Sequence, residues 1–558
     1  MESIVNRRKF LKTSGQAAGG LAAADFFSYV LSGGHSSLSP SLTGAVKDHA
    51  KEAAEPRFLI YWFMEGAWMS YDMFGPVVPV RNDSKFGDLP RDPNDWGKIS
   101  EQVYRTKDLS PEQFRRHGEV FHGPLAEDGK ELFGEMSILS SALTGSGHTR
   151  DRFKAHYGIY NVDMKARREP DERTVLQAFC EAQGRPYLLP NLNWHRWLSD
   201  GELDIAAYPE GTGIYHALGP SWAHIIYPQT PKYTRDLIQQ TLAMRNDRRN
   251  HAVQRFLEQP RQKVLADKNS PELQSFASAL DVYKRLIEGA PQNIDTKTLF
   301  LDKQLREDFE VSPADEEIDF EVINNTLARS KYTPNINVQA MMMFEMMTRG
   351  LSCAGWLENR MVRGFDHHWS RKKILEGYPF DQREMIRKEL WSPLKTFVRK
   401  LKETEYSDSG NSFYDYTTIV LASEFGRTVG GDIASVLEKT DLSEEAKREQ
   451  ILSQDISAHN PVNSVAFLGP RARGGAQFGW VGQKTMQPIP IHPKTGELDP
   501  RYDRDGNLLK GYDEASPEFI LPNHGHIYST ALKLAGVNPK GAGKNDPPHL
   551  PFLLKDGV

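Results

Sequence analysis

The chain has 558 residues, 39% of them hydrophobic and 26% charged, which excludes an intrinsically disordered chain and leaves room for one large core or two domains. Its 69 basic and 74 acidic residues are well mixed and give a formal charge of −5, so no broad positive field exists to hold a nucleic-acid backbone. Two cysteines, Cys180 and Cys353, exclude a disulfide framework and allow at most one bridge, which is not expected to form.

The first element is an address. "NRRKFLK", Asn6 to Lys12, precedes the small-residue, weakly apolar stretch "TSGQAAGGLAAADFFSYVLSGG", which Asp25 interrupts. Adjacent arginines followed by Phe, Leu and a mild apolar region read as a twin-arginine export signal over residues 1–35, with the twin-arginine translocase as partner and the periplasm as destination. The alternative is an exposed basic amphipathic helix. A membrane span is not expected, because a spanning helix needs about 20 mostly apolar residues. Residues 36–56 read as a linker, and residues 57–558 as one α/β domain.

"RFLIYWFM", Arg57 to Met64, is a continuous apolar run of strand length that ends in "EGAWMSYD". "GEMSILSSALTGSGHTRDRFKAHYGI" reads as strand, Gly/Ser loop and helix, with Thr149 opening the helix. A polar helical insertion is expected over about residues 232–330, where apolar residues recur at three- and four-residue spacing. The Met-rich helix "NVQAMMMFEMMTRGL" reads as core packing, since Met fills irregular cores. "PFDQREMIRKELWSPLKTFVRKLKET" is a long amphipathic helix. "YTTIVLAS", Tyr416 to Ser423, and "PVNSVAFL" are strands, "AQFGWVG" is a short one, and "HIYSTALKLAGV" is a closing helix.

Buried strands alternating with helices predict a mostly parallel sheet sandwiched by helices, with functional groups beyond its carboxyl edge. The polar clusters fall at such positions: Glu65, the loop at Gly147 to Thr149, Asp366 to His368 in "RGFDHHWSR", Glu424, and His459. An Asp and a His one residue apart can hold a cation from two sides, and a distant His can complete the set; mixed imidazole and carboxylate suit Zn or Mn, whereas oxygen-rich sets suit Ca or Mg. The same residues also read as strand-end turn and surface residues. Thr149 reads first as an ordinary helix cap, and His524 and His526 as residues that cap or line the closing helix.

"LASEFGRT", the His-containing loop before "NSVAFLGPRARGGAQFGWVG", "GFDHH" and "GAWMSYDMF" together resemble the exported domain of unknown function 1501 family, within the alkaline phosphatase and sulfatase superfamily. The resemblance runs with gaps from about Arg57 to Val537, and "SEFGR" is its most specific part. It implies an alkaline phosphatase-like fold and a divalent metal held by Asp366, His368, Glu424 and His459, with Glu65 as a further acidic ligand at the strand end. Asp72 and Phe74 match the end of the family's first segment, but Ala67 replaces a Gly and Met69 a Ser. A nucleophile at a helix N-terminus, where free N–H groups stabilise an anion, would be Thr149 with His148 beside it, and Arg427 would neutralise the substrate. No Cys-x-Pro-x-Arg sequence is present, which disfavours a standard sulfatase.

The expected function is an exported metal-dependent hydrolase of a phosphate or sulfate ester. A non-catalytic exported binding or assembly protein on the same fold is the alternative, and a glycoside hydrolase using Glu65 and Glu424 is a third, requiring carboxyls about 5 to 9.5 Å apart. The export reading is directly testable: changing Arg7 and Arg8 together to Lys should leave full-length precursor in the cytoplasm on fractionation and immunoblotting. Normal periplasmic levels of that variant would rule the signal out.

Overall fold

The structure, a computed structural model, describes residues 57–68, 70, 73–74, 115–145, 148–158, 174–183, 187, 189–194, 225–226, 230–232, 234–236, 238–239, 296–313, 335–359, 386–407, 409–427, 439–453, 459–482, 487–503, 506–512, 516, 518–539 and 547–558. The twin-arginine segment, the linker, Met69, Asp72, Asp366 to His368 and most of the expected helical insertion lie outside the described residues.

In chain order the strands are β1 (Phe58–Met64), β2 (Arg115–His117), β3 (Val120–His122), β4 (Met136–Leu143), β5 (Asn191–Asn193), β6 (Ile225–Ile226), β7 (Ala354–Glu358), β8 (Thr417–Ser423), β9 (Gly426–Arg427), β10 (His459–Asn460), β11 (Val462–Leu468) and β12 (Ala476–Phe478). The helices are α1 (His148–Tyr157), α2 (Val175–Gln183), α3 (Lys303–Asp308), α4 (Ile336–Thr348), α5 (Ser392–Glu403), α6 (Glu444–Ser453) and α7 (His524–Leu534). A 3-10 run covers Pro124–Glu135, and a π-helical turn over Arg387–Trp391 leads into α5.

Eight strands form one sheet in the order β12-β4-β11-β8-β1-β7-β5-β6. β1 is parallel to β7 and β8, β5 to β6 and β7, and β12 to β4, whereas β11 is antiparallel to both β4 and β8. Among the described strands of this sheet, seven therefore run one way and β11 runs back. The mostly parallel α/β sheet expected from the sequence is present. The reversal of β11 matters for function: the segment that precedes it, His459 to Pro461, lies at the same edge as the segments that follow β1, β4 and β8.

Every residue of β1, β8 and β11 is buried, which is why these strands read as unbroken apolar or small-residue runs rather than alternating ones. Alternation along β1 shows what covers each face. Tyr61 stacks on its cross-strand partner Trp356 at 4.7 Å, and the His156 ring of α1 lies 3.6 Å above Trp356. Trp62 points to the other face, where it meets Phe397 of α5 at 6.1 Å between ring centroids. Gly355, paired with Ile60, shares that second face and lies under Met343 of α4. Helices thus pack on both faces, and the Met-rich run is core as expected, with Met341, Met342, Met343, Met346 and Met347 buried.

Strands β5, β6 and β7 were not anticipated from the sequence pattern. Two are only two or three residues long, and β7 is short and directly follows the glycine turn that ends α4. Phe74 lies in an aromatic cluster with Phe133 and Trp391, at 5.6 and 6.0 Å between ring centroids, so this part of the family-like segment serves the core. Cys180 and Cys353 are buried free thiols that both donate to the Pro190 carbonyl, at 3.4 and 3.5 Å; that carbonyl also accepts from the Ser352 hydroxyl and from the Cys353 and Ala354 N–H groups. Among the described residues, no helix is long and apolar enough to cross a membrane.

The α4 contact gives a stability test. A Cβ at Gly355 would lie 2.5 Å from Met343 Sδ, so Gly355→Ala should cost about 1 to 3 kcal/mol in chemical denaturation. The double variant with Met343→Ala should lose less than the two single costs combined, because the truncated side chain vacates that space; simple additivity would contradict the packing.

Candidate functional site

Where β1 leaves the sheet, its backbone turns sharply. Gly66 has φ 87° and Ala67 has φ 64°, a left-handed conformation that costs a non-glycine residue about 1 to 2 kcal/mol. The turn is held by side chains from three neighbouring segments. The Glu65 N–H donates to Asn359 Oδ1 at 2.5 Å, and Asn359 Nδ2 donates to the Glu65 carbonyl at 3.3 Å. The Gly66 N–H donates to Glu424 Oε2 at 3.2 Å, while Arg427 Nε donates to the Gly66 carbonyl at 3.0 Å and Arg427 Nη2 reaches the same oxygen. All four backbone polar groups of Glu65 and Gly66 are therefore paired with side chains. Glu65, Asn359, Glu424 and Arg427 are all buried.

The strand-end segment "SEFGR" is built by close approach. A Cβ on Gly426 would lie 1.8 Å from the Val462 carbonyl oxygen, so only glycine lets β9 pass the start of β11. β9 pairs antiparallel with β10, which sets His459 opposite Arg427. The His459 and Phe425 ring centroids lie 4.1 Å apart, and the Arg427 guanidinium lies 5.2 Å from the centroid of the same Phe425 ring. A bulge between Asn463 and Val465 breaks the β4–β11 register. There Asn463 Nδ2 donates to the Ser423 carbonyl at 3.0 Å, and Asn463 Oδ1 accepts from Trp68 Nε1 at 2.9 Å. Asn463 thus ties the ends of β8 and β11 to the β1 turn.

A second group of polar residues gathers beyond β4. The Thr144 N–H donates to the Pro461 carbonyl at 2.8 Å, so the loop that leads to α1 adjoins the segment carrying His459. His148 and Thr149 lie in the first turn of α1. Asp151 is fully buried, pairs with Lys154 at 3.2 Å, and rests against Gly145, where a Cβ would come within 2.0 Å of its carboxylate. Helix α7 starts beside the same loop, with Asn523 Oδ1 accepting from the Gly525 N–H at 3.0 Å and His526 Nδ1 completing a capping box on the Asn523 N–H at 3.3 Å. His526 therefore caps the helix, one of the roles expected of it.

His524, at the start of α7, is buried, and its Nε2 has no hydrogen-bond partner among the described residues. Burial pushes its pKa down to about 3; the neighbouring Lys154 charge acts in the same direction, and a hydrogen bond to the Thr144 backbone works against both. Burial also lowers His526, to about 4. Both imidazoles are neutral at physiological pH.

Of the expected site residues, Glu65, Glu424, Arg427 and His459 lie on linked segments at the carboxyl edge, with the first turn of α1 on the adjoining loop. Asp366, His367 and His368 lie outside the described residues, and among the described residues no group of three or more His, Cys, Asp or Glu side chains is arranged to hold a metal. The described donors fit a divalent cation in kind, being two buried carboxylates and an imidazole, so Asp366 and His368 would have to complete the set. Arg427, expected to meet substrate, has two of its nitrogens on the Gly66 carbonyl. Sequence reasoning missed Asn359, Asp151, Lys154 and Asn463. Asn359 directly follows β7 and was legible only with that strand; Asn463 is hidden inside a strand. Comparison of the chain with protein-family models, with curated proteins and with solved structures returns no match.

The depressed His524 predicts the direction of a pH effect. A histidine whose folded pKa lies below its ordinary value near 6.5 leaves stability fully present above about pH 6.5 and lost as pH falls toward 3, because only the unfolded chain takes up the proton in that window. Denaturant unfolding between pH 7 and 4 should show this loss, and His524→Gln should reduce its slope by up to about 1.4 kcal/mol per pH unit. An unchanged slope would contradict the buried neutral ring.

Proposed function

We propose that the chain is an exported metal-dependent hydrolase that acts on a phosphate or sulfate ester, on an alkaline phosphatase-like fold. The observation that carries this reading is the meeting, at one edge of a mostly parallel sheet, of two buried carboxylates, the strand bearing His459 and the start of a ten-residue helix. Such an edge is where α/β sheets hold their ligands. The N-terminus of α1 supplies partial positive charge suited to an anionic ester oxygen.

In this reading Asp366, His368 and His459 would hold one cation, and Glu424 with Glu65 would hold a second. Bound there, the cation would polarise the ester oxygen and lower the pKa of an attacking hydroxyl or water. Thr149 is the hydroxyl best placed by sequence to attack, with His148 beside it at the helix start. Arg427 acts by fixing the β1 turn through the Gly66 carbonyl. The same commitment of Arg427, with Met69 standing where the resembling family has Ser, favours the second reading, a non-catalytic exported binding or assembly protein on the same fold, with or without a metal.

Elemental analysis of protein purified without added metal, together with hydrolysis of p-nitrophenyl phosphate and p-nitrophenyl sulfate, separates the two. Bound metal with turnover supports the hydrolase; bound metal without turnover, or no metal at all, supports the binding protein. Asp366→Ala and His368→Ala should each strip metal and lower the melting temperature, since a cation bound only by the folded state stabilises it. His367→Ala should keep most of the metal, losing about 10- to 100-fold in affinity at most, because this reading gives the ligand roles to Asp366 and His368 and leaves His367 as a neighbour that orients them. Metal loss on His367→Ala with retention on His368→Ala would reverse the assignment.

A further inference from the structure

We infer that Asn359 is a positioning residue for the Glu65 carboxylate, an inference that rests on the metal site proposed above. β7 ends at Glu358, and Asn359 is the next residue. Its side-chain amide does for Glu65 what a further strand residue would do: Oδ1 accepts the Glu65 N–H at 2.5 Å and Nδ2 donates to the Glu65 carbonyl at 3.3 Å. The backbone of Asn359 supports the same placement, since its N–H donates to the Phe63 carbonyl at 3.4 Å and continues the β1–β7 ladder. Asn359 is 1% exposed, so water is a poor substitute for either side-chain bond.

The chemistry of the pairing is specific to a carboxamide. One planar group must present an acceptor and a donor, side by side, to the N–H and C=O of a single residue; among side chains of this length Asn has both, Asp has only acceptors when ionised, and Leu has neither. The next residue is then latched by Glu424 and Arg427 at the Gly66 N–H and carbonyl. Two successive residues in a turn with φ 87° at Gly66 and φ 64° at Ala67 are thereby fixed before any ligand arrives. A carboxylate on such a turn loses little freedom when it binds, which is the condition for a tightly held ligand.

The test is a double-mutant cycle on the full mature chain, with Mn(II) as the probe and calorimetric titration as the readout. Asn359→Ala should weaken Mn(II) binding about 10- to 100-fold in the otherwise natural chain. In a Glu65→Gln background, where no carboxylate is left to position, the same substitution should change the affinity by less than about twofold. A purely structural asparagine would give equal losses in both backgrounds, and that result, or an unchanged affinity in the single variant, overturns the inference. Should Asn359→Ala fail to fold, Asn359→Ser, whose hydroxyl is too short to reach both backbone groups, carries the same cycle. A natural chain that binds no Mn(II) overturns the metal site itself and this inference with it, whereas a natural chain that binds Mn(II) with no coupling between Asn359 and Glu65 overturns this inference alone.

Discussion

A strand buried on both faces and flanked by partners on both sides can leave its sheet only if something replaces the ladder it abandons. β1 meets this constraint at its most severe, lying centrally between β7 and β8 with all seven of its residues buried. The N–H and C=O groups of Glu65 and Gly66 still need partners, and at this depth they come from side chains. Asn359 supplies them from just beyond β7, and Glu424 and Arg427 from the segment that follows β8. The polar residues at the carboxyl edge thus have a structural duty before any chemical one. Glu424 shows the overlap, since the oxygen that accepts the Gly66 N–H belongs to a carboxylate also suited to a cation.

The reversed β11 is the second determinant. In a wholly parallel sheet, the segment before a strand would lie at the opposite edge from the segments after its neighbours. Because β11 is antiparallel to β4 and β8, Pro461 comes to accept the Thr144 N–H, and His459 comes to face Phe425. The bulge at Asn463 then turns an amide toward Ser423 and Trp68, joining the reversed strand to its parallel neighbours through side chains where the ladder is interrupted.

The long apolar strands were legible from sequence because burial on both faces writes itself as a continuous run, and the Met-rich helix because its apolar residues fill every side. The carboxylates Glu65 and Glu424 were legible because each immediately follows such a run. Asn359 was not, because β7 gave no boundary from which to count. Direction left no trace at all: "PVNSVAFL" reads the same whether it runs with its neighbours or against them, and only the pairing with β4 and β8 reveals which. Asp151 and Lys154 escaped notice for a different reason. A polar pair three residues apart on a helix ordinarily marks a solvated face, and here Gly145 brings the loop onto that face and closes it off.

The Pro190 carbonyl gathers two thiols, a hydroxyl and two backbone N–H groups at the start of β5, joining Cys180, ten residues before it, to Cys353, which lies 163 residues beyond. Neither sulfur can meet an alkylating reagent while α2, β5 and β7 stay together, for both cysteines are wholly buried. Their modification rate therefore reports the opening of that corner of the sheet, and two residues without an evident chemical task become an internal clock for its breathing.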